Sequence, residues 1–147
     1  MKLLFRLIFF IVDGLIPLNA QTPDSIKYLS LPPKEFQLQY LNTDSSFLID
    51  VREPFEFKGN RIRDAINIPS SGNLERAADT INKNYTLFLY CTSGYRSSKV
   101  AVSLYDKGFC NLVSLKGGIV EWRKEGLPVS KGRVKRKVRP HDITNNP

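Results

Sequence analysis

The segment Tyr85-Thr86-Leu87-Phe88-Leu89-Tyr90 is dominated by apolar and aromatic side chains on both of its alternating faces. Successive residues of a strand point to opposite sides of the sheet, so such a run has no face to turn to water. It predicts a central strand covered by helices on both sides. From Ile26 onward, short apolar runs alternate with amphipathic stretches, the pattern of β and α units wound around a mostly parallel sheet. Phe47-Leu48-Ile49-Asp50-Val51 reads as a second strand, and residues 110–115 as a third. Between the first two, Leu74, Ala77, Ala78 and Ile81 fall on one helical face. Val100, Ala101, Leu104 and Tyr105 form a similar stripe, closed by Gly108 and Phe109. After Gly117-Gly118 a short helix presents Ile119 and Trp122 on one side, and the fold is expected to stop at Leu127-Pro128.

The chain has 147 residues, room for one domain and not two. With 41% hydrophobic and 24% charged residues it is globular, neither disordered nor fibrous. Lys2 and Arg6 precede the apolar run of residues 7–12, and the small Ala20 precedes Gln21, so residues 1–20 are expected to be a cleavable signal peptide and 21–25 a linker. The chain is then exported, periplasmic or secreted. A membrane anchor is the competing reading, but a span needs about 20 apolar residues and Asp13 arrives sooner. The net charge of +8 is concentrated in residues 131–147, where six cations face Asp142 alone. This tail is expected to be solvated and disordered, with weak contact to an anionic surface as its functional alternative. The body, residues 26–130, is nearly neutral, and no nucleic-acid partner is expected.

Cys91 follows the central strand directly, Gly94 supplies backbone curvature, and a helix is expected to begin near Ser97. Ligands of open α/β sheets bind at the carboxyl ends of strands, where a helix N-terminus adds N–H donors and the positive end of its dipole. Such a setting favours the thiolate form of a cysteine. Arg96, five residues after Cys91, strengthens that effect. The only histidine, His141, lies in the tail, so no Cys–His pair of the protease kind can form within the body. One histidine and two cysteines at unrelated spacings provide no metal-ligand set, and neither metal nor cofactor is expected.

The run Cys91-Thr92-Ser93-Gly94-Tyr95-Arg96-Ser97 resembles the Cys-x-x-Gly-x-Arg-Ser active-site loop of single-domain rhodaneses. Residues 48–57 resemble the Asp-Val-Arg segment of that family, residues 65–69 its next strand, and residues 115–122 its C-terminal signature. Two positions depart from it: Asn60 stands where His is common, and Asp64 where Gly is common. The resemblance implies a rhodanese-like α/β fold, an approximately five-stranded, mostly parallel sheet flanked by helices on both faces. It also implies covalent sulfur transfer through a persulfide on Cys91, from a small anionic donor such as thiosulfate to a thiophilic acceptor such as cyanide or a thiol. In that reading Thr92, Ser93, Gly94, Tyr95 and Arg96 form the cradle, and Arg96 is a candidate to pair with the anionic end of the donor. Asp50, Arg52 and Ser97 are supporting candidates, with a structural ion pair or loop hydrogen bond the leading reading of the first two.

Related phosphatases place five residues between Cys and Arg, whereas here there are four, and Ser97 takes the phosphatase arginine position. Sulfur therefore fits better than phosphate. The alternatives are a non-enzymatic module that carries sulfur or binds a partner, and a thiol-redox role. If the strands are parallel, as the resemblance implies, Cys110 starts its strand while Cys91 follows the end of another. That places the two sulfurs beyond disulfide reach and makes Cys110 a small buried hydrophobe. The oligomeric state is left open.

Overall fold

The computed structural model describes residues 27–72 and 74–132. The predicted signal peptide, the linker and all but the first two residues of the basic tail lie outside them. In chain order the elements are β1 (Leu29–Leu31), α1 (Pro33–Leu41), β2 (Ser46–Asp50), α2 (Pro54–Gly59), β3 (Arg61–Ile62) and β4 (Ile66–Asn67). They continue with α3 (Leu74–Thr80), β5 (Thr86–Tyr90), α4 (Tyr95–Asp106), β6 (Leu112–Leu115), α5 (Gly118–Lys124) and β7 (Val129–Ser130).

Five strands form one sheet in the order β1-β6-β5-β2-β4, and every pairing in it is parallel. Strand β5 is the middle one, as its two-sided apolar sequence requires. Alternation along it divides the core in two: Leu87 and Leu89 pack with Ala78, Val100, Ala101 and Leu104 of α3 and α4, whereas Phe88 and Tyr90 face Phe36, Phe57, Ile119 and Trp122 of α1, α2 and α5. On that second face Phe36 meets the edge of Phe88, ring centroids 5.3 Å apart, and Trp122 donates its indole N–H to the Pro128 carbonyl at 3.0 Å.

Three expectations are corrected. The fold does not stop at Leu127-Pro128, because β7 pairs antiparallel with β3 and the Gly132 amide donates to the Lys58 carbonyl. The third strand begins at Leu112, not at Cys110. Cys110 is exposed, since Phe109 takes the buried position after the turn at Gly108 (φ +89°) and the chain reaches the sheet edge only afterwards.

Candidate active site

The connection from β5 to α4 crosses the carboxyl end of the sheet between β6 and β2. Cys91 stands at its head with its side chain 1% exposed. Helix α4 starts at Tyr95, two residues earlier than the sequence suggests, because Gly94 turns the chain in the left-handed region (φ +91°) and caps the helix itself. This glycine is needed twice over. A Cβ there would lie 3.1 Å from the Leu115 carbonyl oxygen, and L-residues resist that φ. The turn aims the Gly94 amide at the sulfur, N–H to Sγ 3.2 Å. The first amides of a helix have no acceptor within it, so the loop ends in donors with positive partial charge.

Beneath the sulfur lies a pair of hydroxyls. Ser97 Oγ, fully buried, is 3.8 Å from Cys91 Sγ and 3.1 Å from the Gly94 carbonyl oxygen, and it accepts from Ser114 Oγ at 3.0 Å. Ser114 is the one polar residue of β6, opposite Leu89 of β5. In Leu112-Val113-Ser114-Leu115 it was a polar residue at an inward position, a signal that sequence reasoning passed over.

The loop is held from two sides. On one, α5 approaches so closely that its Ile119 and Val120 amides donate to the Cys91 and Thr92 carbonyls at 2.9 and 3.2 Å. Both carbonyls are thus occupied as acceptors by α5. Only Gly118 allows the approach, since a Cβ there would sit 2.5 Å from both carbonyl oxygens.

On the other side stands Glu56 of α2, which the sequence did not single out. The Arg96 guanidinium donates to both its oxygens, Nη1 to Oε2 at 2.9 Å and Nη2 to Oε1 at 2.8 Å. Thr92 Oγ1 donates to Oε1 at 2.7 Å and accepts from Arg96 at 3.0 Å. The same carboxylate closes the capping box of α2 by accepting the Glu53 amide. Arg96 and its companions hold the Glu56 carboxyl well below the usual range, at about 2. The charge of Arg96, the candidate partner of an anionic donor, is paired with Glu56 in this structure. The signal was a glutamate three residues after Glu53 at a helix start, which marks a capping box but says nothing of a distant arginine.

Asp50 and Arg52 form a second pair, buried at 0% and 3% exposure. Arg52 donates to Asp50 through Nε and Nη2 and to the Asn60 carbonyl at 2.6 Å, while Asn67 ties both backbone carbonyls to β4. Neither side chain donates to the sulfur. They set the bend that leads into α2. Ser93 and Tyr95 point outward, Tyr95 being 64% exposed with Lys99 over its ring.

Cys110 precedes β6 at the opposite end of the sheet, and both cysteines are free thiols. It borders an open depression of about 290 Å³ lined in part by Tyr28, Gln39 and Asn111. Among the described residues there is no metal-binding cluster.

The family model of the rhodanese-like domain matches residues 33–125. A sulfurtransferase of Allochromatium vinosum is 33% identical over 88 residues, 60% of this chain and 81% of that protein. An uncharacterised protein of Synechocystis is 36% identical over 103 residues, 70% of this chain, but the match spans only 56% of that protein's length. A tRNA uridine(34) hydroxylase of Photorhabdus laumondii is 31% identical over 100 residues, 28% of its own length. Among solved structures, a rhodanese-related protein of Thermoplasma volcanium superimposes with a TM-score of 0.60 at 31% identity, covering 70% of this chain and 98% of that one.

Proposed function

The chain belongs to the rhodanese-like domain family, and from that premise we propose that it is a sulfurtransferase whose sulfur carrier is Cys91. The observation that carries this reading is the setting of one thiol. Cys91 Sγ lies at the carboxyl end of the central strand, with the Gly94 amide 3.2 Å away and the Ser97 hydroxyl behind it. A sulfur anion there meets fixed donors instead of water. Donors already in place need no reorganisation as charge moves from the thiolate to the outer sulfur of a persulfide.

In the first half-reaction the Cys91 thiolate attacks the outer sulfur of a donor of the thiosulfate type. An S–S bond forms to Cys91, the donor's S–S bond breaks, and the electron pair leaves on sulfite. In the second, a thiophilic acceptor such as cyanide attacks the outer persulfide sulfur, forms thiocyanate and restores the thiolate. Charge balances in both steps, and no metal or redox partner is required. Gly94 and the first turn of α4 are the donors, Ser97 the supporting hydroxyl, and Thr92 and Arg96 the groups that close the cradle against α2.

Incubation with thiosulfate is expected to add one sulfur atom to Cys91, detectable by mass spectrometry, and subsequent cyanide to release thiocyanate. Cys91→Ser abolishes both. Thiocyanate formation that survives this substitution would overturn the reading.

A further inference from the structure

We propose that Glu56 sets the charge preference of the sulfur donor: by neutralising Arg96 it leaves the Cys91 mouth without a free cation in the loop, and so favours monoanionic alkyl persulfides over dianionic thiosulfate. The inference rests on the sulfurtransferase reading and specifies the donor class of the same site. With an alkyl persulfide the Cys91 thiolate attacks the outer sulfur, an S–S bond forms to Cys91, the donor's S–S bond breaks and the electron pair leaves on the alkyl thiolate.

Arg96 is the only cation of the Cys91 loop. Its guanidinium is bound end-on by both oxygens of Glu56, in the bidentate geometry that matches charge and shape most closely. The other guanidinium at this end of the sheet, Arg52, is consumed by Asp50. An incoming dianion therefore meets backbone dipoles and a neutral ion pair. The Glu56 carboxylate stays ionised throughout the neutral range, so the pair stays neutral. The attraction of a free Arg96, twice as strong for a dianion as for a monoanion, is thereby cancelled.

The placement of Glu56 serves this purpose without depending on the loop alone. Its position is fixed by the capping box with Glu53 at the start of α2. Thr92 shares the carboxylate, so the latch also sets the shape of the cradle. Charge and shape are separable by substitution: Gln retains the length and the hydrogen-bond acceptor but removes the charge, whereas Asp retains the charge and shortens the reach.

The test compares KM for thiosulfate and for the persulfide of 2-mercaptoethanol, with sulfur loading of Cys91 followed by mass spectrometry. Glu56→Gln is expected to lower KM for thiosulfate about fivefold at low ionic strength, the size of one unmasked charge in a partly solvated site, and the gain should fade as salt is raised. KM for the alkyl persulfide should fall only about twofold, since a monoanion feels half the interaction. Asp79→Asn makes the same change in net charge beside Lys107, at the far end of α4, and should move neither value. Glu56→Asp should retain the wild-type preference between donors even if turnover falls. Should Glu56→Gln fail to fold, Arg96→Gln gives the opposite sign, since the bare Glu56 carboxylate then raises the thiosulfate KM selectively. Equal changes for both donors, or none for thiosulfate, would overturn the proposal and leave sulfur transfer intact. A wild-type protein that takes sulfur from neither donor would overturn the transfer reading itself.

Discussion

Two carboxylate–guanidinium pairs stand at the carboxyl end of the sheet, one inside the protein and one at its surface. Asp50–Arg52 is almost completely buried and knits β2 to β4 and to the chain after α2. Glu56–Arg96 is 20% and 34% exposed and joins α2 to the Cys91 loop. Removing one partner from a buried pair strands a charge in a medium that cannot solvate it, whereas water takes over at a surface pair. The inner pair therefore belongs to the fold, and the outer one can be spent on chemistry. Tyr90 marks the boundary: packed beside Asp50, with its hydroxyl oxygen accepting the Ile62 amide, its phenol is pushed far above the ordinary range by burial and by the Asp50 charge.

The sharpest way to break this contrast is Asp50→Ala. It leaves the Arg52 guanidinium buried with one backbone carbonyl and a distant amide for partners, and it is expected to cost about 3–5 kcal/mol in urea unfolding. A cost below about 1 kcal/mol would mean that water reaches the site and that the two pairs do not differ in kind.

Glu56→Gln should cost much less, about 1 kcal/mol at neutral pH, because solvent screens the pair and Gln keeps a hydrogen bond to Thr92 or Arg96. Its pH dependence is the finer test. The carboxyl is lowered from its ordinary 4.5 to about 2 in the folded protein. The unfolded chain thus takes up this proton first as pH falls. The stabilisation from Glu56 is complete above pH 4.5 and disappears as pH approaches about 2. The stability difference between wild type and Glu56→Gln should accordingly shrink across that window. A difference that stays constant down to pH 2 would assign the effect to packing and not to charge.

The elements that the sequence makes legible are those in which one local rule operates over several residues. Strand β5 and the stripes of α3 and α4 declare themselves by period, and the Cys91 loop is contiguous, so its glycine and helix start could be placed from composition. The two-residue strands β3 and β7 have no period to detect, and their pairing depends on a tertiary approach. Cys110 was misplaced for a related reason: alternation was extended two residues beyond the true start of β6, and at a strand end alternation no longer governs which side faces inward. The Glu56–Arg96 pair spans 40 residues, and the local role of Glu56 in the capping box of α2 gives no sign of it. Ser114 could have been found, since a hydroxyl at an inward strand position needs a partner, which Ser97 Oγ supplies at 3.0 Å.

The smallest expected effect concerns Asn60, where this chain departs from the residue common in the family. Its side-chain oxygen reaches Arg52 Nη1 only at 3.5 Å, the outer limit of a useful hydrogen bond, whereas its backbone carbonyl accepts from Nη2 at 2.6 Å. A backbone carbonyl is supplied by any residue. Asn60→Ala should therefore change stability by no more than about 0.5 kcal/mol and Asn60→His by a similar amount, measured by urea unfolding beside Asp50→Ala. A loss near that of Asp50→Ala would place the side chain, and not the main chain, as the third member of the buried pair. The expected near-neutrality sets position 60 apart from Asp50 and Arg52: Arg52 reads the path of the backbone there, and the path is set by the turn out of α2.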